Sequence, residues 1–169
     1  YKLLFLDRNN IGDGLIGEEI MIKITIRKMI QDDLGIVSEL AMLANPHATK
    51  EEYIEHLSDE LKENPDLSFV ALSNDKAVGF VQADVRNDIS ILQDIAVHRQ
   101  HQRKGIGKRL LTEELQALKK KKVKVILAQV HYKCSSAIPF YYKHGFRLSG
   151  CMQDCFGFGH DAIILKLSL

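Results

Sequence analysis

Two glycines, Gly105 and Gly107, lie one residue apart in a basic loop. Because glycine lacks a Cβ atom, such a loop can turn tightly and let a ligand approach its backbone. An amphipathic, helix-like segment follows, so the free N–H groups and the dipole of its first turn would favour an anion. Four basic side chains would add to that attraction: Arg103, Lys104, Lys108 and Arg109. The pattern predicts a phosphate-binding loop.

A second segment strengthens this interpretation, because a turn before a solvated basic helix would look similar and short glycine motifs are weak alone. The loop reads Gln102-x-x-Gly105-x-Gly107, and the downstream segment reads Ala137-x-x-Phe140-Tyr141-x-Lys143-x-Gly145-Phe146. The first resembles the acyl-CoA pyrophosphate motif of the GNAT N-acetyltransferases, and the second resembles the C-terminal helix-to-strand motif of that superfamily. The resemblance is clear over residues 76–146 and does not include residues 1–20.

The resemblance implies an α/β (α+β) fold in which a mixed, mostly antiparallel sheet is flanked by helices and contains a splayed strand pair. The backbone groups left unpaired at the splay would bind the pantetheine arm of acetyl-CoA. These groups belong to Ile95, Ala96 and Val97. The loop would receive the pyrophosphate. The loop residues implied in cofactor binding are Gln102, Arg103, Lys104, Gly105, Ile106, Gly107 and Lys108.

The same resemblance places Tyr141 beside the sulfur of CoA. A primary amine would attack the acetyl thioester directly in a ternary complex, and the Tyr141 hydroxyl would protonate the leaving thiolate. Phenols titrate near pH 10 in water, so a tyrosine holds its proton at neutral pH. The alternative role for Tyr141 is to pack a helix against the sheet, while Tyr142 points about 100° away on a helix.

Two positions depart from the superfamily pattern. Cys134 stands where many members carry an asparagine that contacts pantetheine, and a thiol replaces a carboxamide poorly. Gln129 stands where ribosomal-protein N-terminal acetyltransferases often carry a glutamate, and glutamine cannot accept a proton. Asp94 and His131 are the candidates for relaying the proton of the amine through water, although either could be structural. This departure favours a small amine over a peptide N-terminus as the acceptor.

Composition argues against several other classes of protein. Lys plus Arg number 23 against 22 for Asp plus Glu, so net charge indicates neither a nucleic-acid nor a membrane partner. No apolar run approaches the ~18 residues of a membrane span. Three cysteines form no secretory framework and predict a reducing, cytoplasmic location. The spacing of Cys151, Cys155 and His160 matches no common zinc pattern, so no metal site is expected.

Hydrophobic periodicity predicts one α/β domain over residues 21–169, preceded by an N-terminal extension of uncertain status, residues 1–20. Ile22, Ile24 and Ile26 alternate with polar residues as in a half-buried strand. A helix over residues 32–44 would begin at Asp32 or Asp33, and a Thr49 capping box would open a second helix that ends at residues 64–65.

The second half of the chain continues the alternation of strands and helices. Residues 68–72 and 77–85 predict a hairpin across residues 74–76, with Gly79 as a bulge. Residues 89–97 form the strand that leads into the loop, and residues 123–130 form a central strand. The helix between them would carry its leucines inward: Leu110, Leu111, Leu115 and Leu118.

Two rival functions remain open at this point. One is a non-catalytic acyl-CoA-binding regulatory module. The other is a nucleic-acid or protein adaptor that uses the four lysines at residues 119–122, although lysines at a helix C-terminus also complement the helix dipole. The resemblance also allows a homodimer through the C-terminal strands.

Overall fold

A seven-stranded sheet forms the centre of the molecule. The computed structural model describes residues 23–44, 49–134 and 137–169. The order in the sheet is β1-β2-β3-β4-β5-β7-β6, in which β4 and β5 pair in parallel and the other neighbours pair antiparallel. The strands are β1 (Ile24–Lys28), β2 (Ser68–Ser73), β3 (Lys76–Arg86), β4 (Ile89–Val97), β5 (Val125–His131), β6 (Arg147–Met152) and β7 (Ala162–Ser168). This confirms the predicted mixed, mostly antiparallel sheet.

The helices cover both faces of the sheet. They are α1 (Leu34–Ala44), α2 (Lys50–Glu63), α3 (Ile106–Lys120) and α4 (Ile138–Lys143). Phe80 of β3 packs in a core with α1 and α2, whereas its neighbour Val81 packs in a second core with α3. Side chains alternate across a strand, so these two cores lie on opposite faces. Within the described ranges, no helix is long and apolar enough to span a bilayer.

The start of α1 differs from the prediction. A 3-10 turn, Gln31–Asp33, precedes the helix, and neither Asp32 nor Asp33 caps it. The Asp33 carboxylate instead accepts two hydrogen bonds from Arg27 of β1, at 2.7 and 2.9 Å, and one from the Ile30 N–H. The predicted cap is wrong because a tertiary ion pair engages the carboxylate. Residues 1–22, which include the predicted extension, lie outside the described residues.

Other local predictions agree with the structure. The Thr49 hydroxyl accepts a hydrogen bond from the Glu52 N–H, while the Glu52 carboxylate accepts one from the Thr49 N–H, which confirms the capping box that opens α2. On α3, the predicted inward face is also confirmed. Its leucines are buried or half-buried: Leu110, Leu111, Leu115 and Leu118.

The β2–β3 hairpin turns at Asn74 and Asp75, both with positive φ. Its bulge lies at Val78, because Ala71 pairs with Gly79 and Leu72 pairs with Ala77. The bulge predicted at Gly79 is therefore misplaced by one residue. Gly79 has another role: a Cβ at this position would lie 2.9 Å from the Ala96 carbonyl oxygen. Glycine is needed there because β4 approaches β3 so closely.

Candidate active site

The predicted splay between β4 and β5 is present in the structure. The two strands pair from Ile89 opposite Val125 to Leu92 opposite Ala128, and their pairing ends there. Both strands continue beyond this point, β4 to Val97 and β5 to His131. A gap therefore opens in the middle of the sheet, with strand backbone on both sides of it.

A bulge in β4 accompanies the gap. Gln82 of β3 pairs with Asp94, whereas the next residue, Ala83, pairs with Leu92, so Gln93 has no partner on β3. Cross-strand partners share a face of the sheet. Asp94 therefore lies on the same face as Gln82, which is the face covered by α1 and α2. No sequence signal marked this bulge.

The alternation of hydrogen bonds shows which backbone groups of β4 face the gap. The His98 N–H donates to the Val78 carbonyl oxygen at 2.7 Å. In an antiparallel pair, alternate residues bond to the partner strand. Ala96, opposite Phe80, therefore directs its own groups to β3, while Ile95 and Val97 direct theirs into the gap. The implied contact between the Ala96 backbone and pantetheine is not available in this arrangement.

Gln102 holds the end of β4 against the loop. Its side-chain amide donates to the Val97 carbonyl oxygen at 2.9 Å. This contact satisfies one of the groups that face the gap and orients the chain into residues 103–108. Gln102 thus shapes the loop through its side chain. Ile95 keeps both backbone groups directed at the gap, and Val97 keeps its N–H.

The loop presents a row of free backbone amides. Gly105 has φ +79° and precedes α3, whose first bond runs from the Arg109 N–H to the Gly105 carbonyl oxygen at 3.1 Å. Arg103 also has a positive φ, of 62°. In the part of the chain that the structure describes, the amides of residues 103–108 donate to no protein acceptor. Consecutive amides in such a turn form a concave site for anions.

The side chains of the loop divide into two groups. Ile106 is buried in the α3 core, so it offers only its backbone N–H to a ligand. The basic side chains are exposed and, among the described residues, form no ion pair: Arg103, Lys104, Lys108 and Arg109. Their charge remains available to a ligand, as the phosphate prediction requires.

Tyr141 lies in the core next to the gap. It is 7% exposed, and its ring contacts those of Phe140 and Phe146 edge-on, with centroids 5.4 and 5.1 Å away. Ile95 and Val97 belong to the same apolar cluster. Burial, together with the negative charge of Asp94, raises the pKa of Tyr141. The phenol therefore keeps its proton throughout the neutral range.

Asp94 supplies a group that can change its charge near neutral pH. Burial raises the pKa of its carboxyl group from 3.8 to about 7. Within the described residues Asp94 forms no ion pair that would hold it ionised. Since its charge affects Tyr141, the two groups lie within electrostatic reach across the gap. A proton acceptor and a proton donor thus flank the same opening.

The remaining candidate residues lie around the end of β5. Cys134 is half-buried, packs against the cluster that contains Tyr141, and donates its N–H to the His131 carbonyl oxygen at 2.7 Å. The side-chain oxygen of Gln129 accepts a hydrogen bond from the Cys155 thiol, with 3.7 Å between Sγ and Oε1.

Tyr142, on α4, is 42% exposed and points away from the core, as predicted. In the described part of the chain, no group of three or more His, Cys, Asp or Glu residues could hold a metal ion.

Sequence reasoning missed the loop of residues 153–161 as part of this region. His160 lies against His131, with 3.0 Å between ring nitrogens, and Phe156 contacts the same ring at 5.5 Å between centroids. From the sequence alone, Cys155 and His160 are candidates only for a metal site, which their spacing does not support. Periodicity carries no information about where a loop packs, so the contact with His131 has no sequence signal.

This fold and site define an acetyltransferase of the GNAT type. The domain model described as "Acetyltransferase (GNAT) domain" matches residues 64–148, half of the 169-residue chain. The chain belongs to the GNAT acetyltransferase family. A comparison with curated proteins finds no significant match.

Solved structures share the fold over most of their length. Ard1 from Thermoplasma volcanium has a TM-score of 0.79 and 20% identity, with 86% of this chain and 97% of that chain covered. The PaiA N-acetyltransferase from Thermoplasma acidophilum, solved in complex with coenzyme A, has a TM-score of 0.67 and 26% identity, covering 88% and 100%. The ribosomal-protein-S18-alanine N-acetyltransferase from Escherichia coli has a TM-score of 0.67 and 25% identity, covering 86% and 94%.

Proposed function

We propose that this protein transfers the acetyl group of acetyl-CoA to the primary amine of a small molecule. The observation that carries the proposal is the gap between β4 and β5, which has a row of free amides near one end and Tyr141 beside it. The resemblance to PaiA, which was solved with coenzyme A, supports the choice of cofactor. No metal takes part in the proposed reaction.

Acetyl-CoA would bind along the loop and the gap. Its pyrophosphate would accept hydrogen bonds from the amides of residues 103–108, with the basic side chains nearby. A helix N-terminus contributes about 0.3–1 kcal/mol toward an anion, so the loop amides and cations must supply the rest. The pantetheine arm would pair with Ile95 and Val97 as an added strand does, passing close to Cys134. Bound in this way, the thioester would lie near Tyr141.

Proton transfer completes the proposed mechanism. Amines in water are mostly ammonium ions at neutral pH, so the acceptor must lose a proton before its nitrogen can attack. The Asp94 carboxylate takes that proton, directly or through one water molecule. As the carbon–sulfur bond breaks, the Tyr141 hydroxyl donates a proton to the CoA thiolate. The nitrogen, now bonded to the acetyl carbon, loses its second proton to water, and water returns a proton to Tyr141, so that one proton is released overall through Asp94. Positioned acids and bases each contribute roughly 10²- to 10⁴-fold in rate.

The acceptor class rests on the residues that border the gap. Gln129 cannot act as the base that a glutamate provides in the ribosomal-protein enzymes, which favours small amines over peptide N-termini. The test is a screen of polyamines, amino acids, aminoglycosides and peptides in which free CoA is measured. Turnover of a small amine supports the proposal. Turnover of peptides alone would overturn the choice of acceptor, and no turnover would overturn the reaction.

A cytoplasmic location is part of this proposal and rests on the three cysteines, Cys134, Cys151 and Cys155, which are free thiols in the structure. A homodimer through the C-terminal strands stays a prediction.

A further inference from the structure

A pair of histidines joins the end of β5 to the loop of residues 153–161. The Nε2 atom of His131 lies 3.0 Å from the Nδ1 atom of His160, and both side chains are half-buried. On its other side, the Nδ1 atom of His131 accepts a hydrogen bond from the Lys133 N–H at 3.1 Å. The proposed mechanism uses neither ring.

These contacts fix the positions of the ring protons. Because Nδ1 of His131 accepts a hydrogen bond, neutral His131 carries its proton on Nε2. That proton is donated to Nδ1 of His160, so neutral His160 carries its own proton on Nε2. The hydrogen bond between the rings therefore needs an acceptor atom at the position of Nδ1 of His160.

The pair lies on the same face of the sheet as Asp94, the base of the proposed mechanism. Val130 belongs to the α3 core, so the adjacent His131 side chain lies on the opposite face, which Asp94 shares. Continuing the strand register past Leu92 and Ala128, with one residue allowed for the bulge at Gln93, places His131 across the gap from Ala96.

The loop that carries His160 is ordered within itself. The Phe156 N–H donates to the His160 carbonyl oxygen at 3.0 Å, and the Asp154 N–H donates to the Asp161 carboxylate at 3.0 Å. Its side-chain contacts with β5 include the histidine pair, the ring of Phe156 on His131, and the Cys155 thiol on Gln129.

We propose that His160 is a positioning residue for the acceptor, which it serves by holding the loop of residues 153–161 against His131 as one wall of the acceptor site. This inference rests on the proposed function. The wall is complete while the hydrogen bond between the two rings holds the loop against β5, and loss of the His160 ring removes that hydrogen bond. The acceptor KM then rises, whereas the KM for acetyl-CoA stays constant.

Several other charged or titratable groups surround the pair. Asp154 and Asp161 both accept backbone hydrogen bonds within the loop, and Lys133 lies over the Tyr132 ring. Burial raises the pKa of Cys155, which keeps that thiol neutral. Asp94 changes charge near pH 7 and would affect turnover directly. A test must therefore separate the histidine pair from Asp94.

Nuclear magnetic resonance of the full chain with ¹⁵N-labelled histidine tests the pair without any ligand. The expected spectrum at pH 7.5 shows both rings protonated on Nε2, with the Nδ1 atom of each accepting a hydrogen bond. His160→Ala should shift the amide signals of residues 153–161, whereas His160→Asn, whose side chain can still accept from His131, should leave them nearly unchanged. A proton on Nδ1 of His131, or unshifted loop signals in His160→Ala, would overturn the proposal.

Kinetics test the role in acceptor binding, using each amine that the screen turns over. His160→Ala should raise the acceptor KM about fivefold at pH 7.5, the effect of one lost hydrogen bond, and change the acetyl-CoA KM by less than twofold. His160→Asn, which keeps an acceptor atom for His131, should hold the acceptor KM within about twofold of wild type at the same pH. Because all the proteins are compared at one pH, the protonation of the amine affects their KM values equally.

The control is His56→Asn, which changes an exposed histidine on α2 and should leave both KM values unchanged. An unchanged acceptor KM in His160→Ala, or an equal rise in His160→Asn, would overturn the inference while the proposed function stands. If no amine is turned over, the proposed function fails, and the positioning role fails with it. If His160→Ala does not fold, the same comparison with His160→Leu, which keeps bulk but offers no acceptor atom to His131, decides.

Discussion

At the scale of single residues, the proposed mechanism depends on two groups with opposite tasks, the buried phenol of Tyr141 and the half-buried carboxyl group of Asp94. Burial and the charge of Asp94 keep the Tyr141 phenol protonated, and burial raises the pKa of Asp94 to about 7. The phenol is protonated over the whole working pH range, so it can serve the departing thiolate. The carboxyl group changes charge near neutral pH, so it can serve the attacking amine. The phenol stays a donor at any pH at which the carboxylate can act as the base.

The Asp94 carboxylate gives the reaction its expected pH dependence. A base acts when it is deprotonated, so kcat should rise with pH through about 7 and fall in acid. Asp94→Asn should lower kcat by roughly 10²-fold or more and abolish the rise of kcat with pH. Steady-state rates from pH 5.5 to 9 at saturating substrates check this. Asp59→Asn, an exposed carboxylate on α2, is the control and should retain the wild-type profile. An unaltered profile in Asp94→Asn would assign the base elsewhere.

At the scale of elements, the proposed binding of the cofactor depends on the turn into α3. Gly105→Glu puts a negative side chain at a residue with φ +79°, beside the amides that would receive the pyrophosphate. We expect CoA binding to fall by at least about 10²-fold, measured by calorimetry. Gly105→Ala introduces the same backbone strain without charge or bulk and should lose less than about tenfold. Equal losses of CoA binding in the two variants would show that backbone strain explains the effect and that the loop is not an anion site.

Helix α3 also carries a buried carboxyl group, that of Glu114. Both oxygens of Glu114 lack hydrogen-bond partners within the described residues, and burial raises the pKa of this group from 4.5 to about 9. Between those values the unfolded chain ionises Glu114 while the folded chain keeps it protonated. The unfolded state then binds fewer protons, so the free energy of unfolding must fall as pH rises.

Glu114→Gln removes this titration. The stability of the variant relative to wild type should therefore increase by roughly 2–4 kcal/mol from pH 5 to pH 8, as measured by urea unfolding. Glu113→Gln, on the exposed side of the same helix, should show no such trend. A constant difference between Glu114→Gln and wild type across this range would mean that Glu114 is ionised in the folded protein.

At the scale of the whole molecule, periodicity and local signals predicted much of the architecture. The strand 89–97 appears with those bounds, and the Thr49 capping box opens α2 as expected, because both depend on neighbouring residues. The splay and the role of the loop came from the resemblance of residues 102–107 and 137–146 to known motifs.

Features set by distant contacts escaped prediction. Arg27 binds Asp33 across the start of α1, the β4 bulge falls at Gln93, and His160 docks on His131. Each joins residues from different elements, and no local pattern marks such a pair. The same limit applies to the proposed acceptor site, which would combine the end of β5 with a loop from the C-terminal hairpin.

In the proposed function, the whole molecule binds acetyl-CoA and an amine together and protonates the departing thiolate. The most direct measurement is amine-dependent release of free CoA by wild type and Tyr141→Phe, with acetyl-CoA saturating in both. We expect wild type to turn over a small amine and Tyr141→Phe, which keeps the ring but loses the hydroxyl, to be roughly 10²-fold slower or worse. Equal rates in the two proteins, or CoA binding without release for every amine tested, would contradict the account and indicate a CoA-binding regulatory module.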